Sequence, residues 1–397
     1  MLFIFHSLIL LSAFLSALNK ITLEYSLYNL IPFIPLSFPT NPDPIYFPIN
    51  TNLEYTWLNN NSLTNYKYCE INQGPKKIKL KDDEYQVFPC QTEVEYDHKT
   101  ILPNYNFFML KNIVYLIEKR EYGCGLSFKF QDEKFSLVHQ LFNSKLIDRK
   151  SFAFEPVTGQ KRGYIHFGGT PYEHRTDRFN YQGSCHVTGN SSWGCALKSI
   201  LIGNKTYSFN INTVFQSSLE NMIESIKFFE IMTEDVFKKE IERHVCEIVV
   251  NYEEKRYLEC SPDAFDGKMN VTFEFNDLKI SFPILQLFFF ADVKYHSRFS
   301  YDYNDPNMFD FGFAFFNRFN LSIFDYDEQS IKFYSENILI TQNSNDSYFK
   351  FLLCIVFTLC LISILIFLYL FANIKSLLKG VKKQYKAYSA SDEELII

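Results

Sequence analysis

The chain has 397 residues and a formal net charge of −6, a mild acidity that argues against nucleic acid as a partner. H-E-x-x-H, C-x-x-C, the G-x-S-x-G elbow and a phosphate-binding glycine loop are all absent, and the eight histidines show no metal-ligand spacing, so no metal or cofactor is expected. The 43 Phe and 26 Tyr favour strands.

Residues 2–17, "LFIFHSLILLSAFLSA", form an apolar run ending in small residues, and 1–17 is expected to be a secretory signal peptide. Short strands with turns follow: "IYFPI" (45–49), "NIVYLIE" (112–118), "RGYIHF" (162–167), "LKSILIG" (197–203), "KTYSFNI" (205–211), "NVTFEF" (270–275), "LKISF" (278–282) and "SIKFYS" (330–335). Gly203-Asn204 and Asn276-Asp277 sit between apolar runs as hairpin turns. Two stretches have helical spacing: 133–146, with Phe135, Val138, Leu141 and Phe142 on one face, and 218–232. Residues 336–350 read as a polar stalk. Residues 351–372 carry no charge over 22 positions, which at about 1.5 Å per residue spans a bilayer's ~30 Å core. Five lysines between Lys375 and Lys386 place the tail, 373–397, in the cytosol. The tail ends in "ASDEELII", where Asp392, Ile396 and Ile397 resemble an acidic dileucine sorting signal.

An entry signal with scattered cysteines points to an oxidising compartment. Seven cysteines lie before the apolar run, so one is left over; Cys354 and Cys360 lie inside it. N-x-[ST] sequons start at Asn60, Asn190, Asn204, Asn270, Asn320 and Asn345, the glycosylation candidates. Cys185 and His186 are chain neighbours on an expected strand, where side chains point to opposite faces, which argues against a nucleophile–base pair.

Phe-x-Ile-Asn-Thr occurs twice, as "FPINTN" (47–52) and "FNINTV" (209–214). The first lies in "PIYFPINTNLEYTWL" (44–58), which resembles the first active-site strand and loop of pepsin-like aspartic peptidases, with Asn50 in place of the aspartate of Asp-Thr-Gly and Trp57 seven residues on. "VEYDHKT" (94–100) resembles the strand entering that family's flap, with Tyr96 at the flap tyrosine. "GCGLSFKFQDEKFSLVHQLFNSKLIDRKSFAF" (123–154), "GYIHFGGTP" (163–171), "SSWGCALKSILIGNKTY" (191–207) and "FGFAFFNRFNLSIFDYDEQSIKFY" (311–334) resemble later family segments in the right order. The second repeat resembles the second loop, with Asn212-Thr213-Val214 where Asp-Thr-Gly would stand.

The resemblance implies a mostly β, bilobal pepsin-like fold. The first lobe would span 18–168 and the second 169–335, ahead of a single C-terminal transmembrane helix. It implies that Thr51 and Thr213 bond across to the opposite loop. It also implies Cys246–Cys260 as a bridge of the second lobe, with Cys69–Cys90 and Cys185–Cys195 as further candidates and Cys124 as the leftover thiol. In the family, two carboxylates about 3 Å apart share a proton and activate water. Asn50 and Asn212 cannot do this, and Asn52 and Val214 replace the loop glycines. The expectation is therefore a proteolytically inactive type I membrane protein of the secretory or endosomal system or cell surface, binding peptide or protein in its cleft or serving a structural role. The alternative is an active endopeptidase with a non-standard centre, although Asp43, Glu54, Asp97 and Asp310 do not occupy either loop position.

Overall fold

A computed structural model describes residues 20–336, apart from 29, 40–42, 59–68, 70–74, 81–82, 97–99, 111–122, 131, 170–178, 190–191, 252–253, 266–269 and 302–308. The signal, apolar-run and tail expectations, the 112–118 strand, nearly all of the stalk, and Asn60, Asn190 and Asn345 lie outside the described residues. Among the described residues no helix is long and apolar enough to cross a membrane.

The fold is mostly β. A nine-stranded sheet joins both halves of the chain. Its seam is the antiparallel pair Ser151–Pro156 with Leu321–Asp325, aligned Phe152 to Phe324 and Phe154 to Ser322. Alternation along Ser151–Pro156 sends Phe152 and Phe154 to one face. There Phe152 stacks on Phe324 with centroids 4.7 Å apart, and Trp193 closes edge-on at 5.7 and 5.2 Å. Trp193 lies fully buried, and its indole N–H donates to Leu126 O at 2.7 Å. The ring therefore packs and is satisfied in one orientation.

Each half adds sheets of its own. In the first, the long strands Asp83–Tyr96 and Thr100–Leu110 pair as an antiparallel hairpin whose last aligned pair is Tyr96 with Thr100. In the second, Ala196–Ile202 and Lys205–Asn212 pair around Gly203-Asn204, with Gly203 at φ +58°, the left-handed conformation such a turn requires. Asn276-Asp277 turns likewise between Asn270–Phe275 and Lys279–Pro283.

The helical stretches are shorter than the spacing predicts. Ser136 caps Leu137–Asn143, its hydroxyl accepting from His139 N–H, and a single 3-10 turn, Glu133–Phe135, precedes it. In the second stretch the chain first forms a strand, Met222–Glu224, and only then the helix Ile226–Glu230. Its start is claimed by ladder bonds to Phe299–Tyr301 and Asp310–Phe311, which overrule helical periodicity.

Disulfides join Cys69 to Cys90, Cys185 to Cys195 and Cys246 to Cys260, the three candidate pairs, and Cys124 is a buried free thiol.

Candidate functional site

Two loops meet at the centre. The first follows the strand Ile45–Asn50, whose last residues pair in parallel with Cys124–Gly125, Ile49 facing Cys124. Asn50 is only 3% exposed. Its side-chain oxygen accepts the Asn52 N–H at 2.9 Å, and its carbonyl accepts the Leu126 N–H at 2.9 Å. Thr51 comes next and reaches across to the second half of the chain. Its hydroxyl donates to Phe215 O at 2.7 Å and accepts from Ser217 N–H at 2.9 Å.

Ser217 returns the arrangement. Its hydroxyl donates to Ile49 O at 2.7 Å and accepts from Thr51 N–H at 3.1 Å. Thr51 grips the residue two before Ser217 while Ser217 grips the residue two before Thr51, so the two loops are related by a pseudo-twofold. The residue that corresponds to Asn50 is therefore Gln216.

Two further features fix the same correspondence. Val214–Phe215 pairs in parallel with Asp310–Phe311, Phe215 facing Phe311, as Ile49 faces Cys124. Gly125 then abuts the first loop: a Cβ there would lie 2.6 and 2.5 Å from the carbonyl oxygens of Leu53 and Tyr55. Gly312 abuts the second loop in the same way, 2.8 and 2.1 Å from those of Leu219 and Asn221. Leu53 and Tyr55 stand three and five residues after Asn50; Leu219 and Asn221 stand three and five after Gln216.

This corrects the placement of the second loop at Asn212-Thr213-Val214. Asn212 is exposed at the end of the hairpin arm Lys205–Asn212, where its side-chain oxygen accepts from Thr188 Oγ1 at 3.1 Å. The Thr213 hydroxyl donates to Cys195 O at 2.9 Å within its own half and does not reach the other loop. Val214 is a strand residue facing Asp310 and fills no glycine position. The physical reason is the hairpin: eight residues run back from the Gly203-Asn204 turn before the chain is free to cross.

The true second loop reads Phe215-Gln216-Ser217-Ser218. The Gln216 amide donates to Ser218 Oγ at 2.9 Å, and its backbone N–H to Phe311 O at 2.9 Å. The residues at the two expected glycine positions are Asn52 and Ser218, and neither has a positive φ, so a side chain is sterically admissible at both. Asn52 uses its side chain to accept from Ser192 Oγ at 2.6 Å, a further link between the halves.

Trp57 is fully buried, its backbone exchanging hydrogen bonds with Gly123 at 2.9 and 3.1 Å. Tyr96 lies at the end of the long hairpin by its backbone position. Asp310 is buried on the strand beside Val214 and stands in neither loop. Asn204 and Asn270 are exposed, and Asn320 is half-buried, its N–H bonded to Tyr334 O.

Both central side chains are amides. Neither has a proton to give or a base to take one from water near neutral pH. What they offer is neutral hydrogen bonding at the floor of the interface.

Comparison with known proteins bears on the family and the fold. The sequence model of the eukaryotic aspartyl protease family matches residues 122–335, the part that holds Gly125, the second loop and Gly312. No curated protein sequence matches the chain. Among solved structures, the aspartic proteinase from Irpex lacteus superposes with a TM-score of 0.60 at 10% identity, over 80% of this chain and 98% of that one. Basic 7S globulin from soybean superposes at 0.58 and 14% identity, over 80% and 96%. At these identities the likeness is one of fold. With the family match covering more than half of its length and the two-loop centre in place, the chain belongs to the eukaryotic aspartyl protease family.

Proposed function

We propose that this chain is a membrane-anchored, proteolytically inactive member of its family whose cleft binds peptide or protein. The observation that carries the reading is the reciprocal Thr51–Ser217 pair, which supports Asn50 and Gln216 as the residues at the two catalytic positions. A general base must take a proton from water and a general acid must return one. Amides at both positions supply neither, while the fastening around them is complete.

The topology proposed is type I: signal at 1–17, the folded part lumenal or extracellular, a single span at 351–372 and a cytosolic tail. The three disulfides support an oxidising route. Exposed Asn204 and Asn270 are the sequons best placed for glycans. The same features support residence in the secretory or endosomal system or at the cell surface.

The test is direct. The full chain, purified in detergent, is incubated with a peptide library from pH 3 to 7. The expected result is no cleavage, with retained binding of some library members. Cleavage that is blocked by a statine-type inhibitor and lost in Asn50→Ala would overturn the reading.

A further inference from the structure

Glu224 is the residue of the second half that the loop chemistry leaves unexplained. It ends the strand Met222–Glu224 and is fully buried. Among the described residues neither carboxyl oxygen has a hydrogen-bond partner, and no ion pair reaches it. Asn221 Oδ1 and Ser225 Oγ, on the same short segment, are buried and unpartnered as well.

The elements packed on this strand bring Arg298, whose carbonyl accepts the Met222 N–H and whose guanidinium lies over the Phe289 ring, and Arg256, in register with Tyr301. The parallel neighbour Phe299–Tyr301 brings Tyr301 into register with Glu224, and the strand Asp310–Phe311 brings Asp310 into register with Ile223. The helix that follows carries Lys227 and Glu230, both exposed. Lys227 is engaged with Ser208 O and the Phe209 ring. Burial alone holds the Glu224 carboxyl well above its ordinary range.

The position matters because of the order of strands. Val214–Phe215, Asp310–Phe311, Met222–Glu224 and Phe299–Tyr301 are consecutive neighbours in one sheet. The strand bearing Glu224 therefore lies one strand away from the second loop. The strand between them accepts the Gln216 N–H at Phe311 O. Hydrating a carboxylate at 224 requires Met222–Glu224 to part from its neighbours, among them Asp310–Phe311, the strand whose Phe311 O accepts the Gln216 N–H.

We propose that Glu224 makes the second loop pH-responsive: the carboxyl is held in the fold as the neutral acid, and its ionisation as the pH rises loosens residues 214–224. The direction follows from proton linkage. The closed segment keeps a proton that the open one has lost, so the closed form is favoured fully at acid pH and progressively less as the pH climbs. With amides at positions 50 and 216 the central pair cannot supply such a response. The inference stands whether the cleft cleaves or only binds.

Hydrogen exchange of the full chain in detergent, read by mass spectrometry on peptides covering 214–224, tests it between pH 5 and 8. After correction for chemical exchange, the opening constant is expected to rise with pH in the wild type, by up to tenfold per unit, the slope set by one proton. In Glu224→Gln and Glu224→Met it is expected to stay constant; either variant suffices if the other fails to fold. A flat wild-type profile, or the same slope in wild type and variant, overturns the proposal.

Discussion

Replacing Ser217 by Ala removes one hydroxyl and leaves two backbone groups short of a partner, Ile49 O and Thr51 N–H, both inside the interface. A buried donor or acceptor left unmade costs about 1–3 kcal/mol, so the two together predict a loss of about 2–6 kcal/mol. That is a large share of the roughly 5–15 kcal/mol that holds a typical folded protein. Thr51→Val should cost as much, since its hydroxyl serves Phe215 O and Ser217 N–H in the same way. Thr213→Val is the control. The carbonyl it bonds, Cys195 O, also receives the Thr213 backbone N–H, so that oxygen stays paired and the loss should be only about 0.5–1.5 kcal/mol. Equilibrium denaturant unfolding of the three variants measures these values. The double variant Thr51→Val with Ser217→Ala should cost less than the sum, with a coupling of about 0.5–3 kcal/mol. Thr213→Val as damaging as Ser217→Ala, or Ser217→Ala within about 0.5 kcal/mol of wild type, would refute the assignment of the second loop.

Other outcomes follow from the same geometry. Gly125→Ala and Gly312→Ala drive a methyl into backbone carbonyls that cannot swing aside, and each should destabilise by about 1–3 kcal/mol or more in thermal melts. Any peptide cleavage gained by introducing carboxylates should need Asn50→Asp together with Gln216→Asp, and an acid-range assay should find none for Asn50→Asp with Asn212→Asp, because Asn212 bonds to Thr188 away from the loops. Cys124 is fully buried, and burial pushes its thiol up to about 12, so alkylation of the native protein at pH 8 should spare it and alkylation after denaturation should not.

Much of this was legible in the sequence, and the failure is instructive. The Gly203-Asn204 and Asn276-Asp277 turns announce their hairpins because left-handed or tight turns demand such residues. Of the three cysteine pairs, Cys246–Cys260 is implied by the family resemblance, while Cys69–Cys90 closes the loop after Trp57 and Cys185–Cys195 staples a hairpin, which leaves Cys124 over. Asn50 and Trp57 are pointed to by the resemblance of residues 44–58 to the family's first active-site strand and loop. The second Phe-x-Ile-Asn-Thr misled because it copies the letters of the first while doing another task, finishing a hairpin arm. Counting outward from the Gly203-Asn204 turn would have carried the arm through Asn212 and moved the loop to Phe215-Gln216-Ser217. Gly312 gives the other signal, since a glycine there needs a loop carbonyl to press against. Glu224 was not legible at all: in a stretch that also carries Glu220 and Glu230, nothing marks this acid as the buried one, which only the register of three strands sets.

The central fastening has an evolutionary reading. Thr51 and Ser217 hold the two loops through hydroxyls and backbone, one residue beyond Asn50 and Gln216. The clasp makes no demand on what its neighbours carry. A lineage could exchange the acids for amides without loosening the join. Selection for shape and selection for chemistry thus fall on adjacent positions yet act independently. Substitution tolerance should drop sharply from 50 to 51 and from 216 to 217, a step repeated in both halves of the molecule.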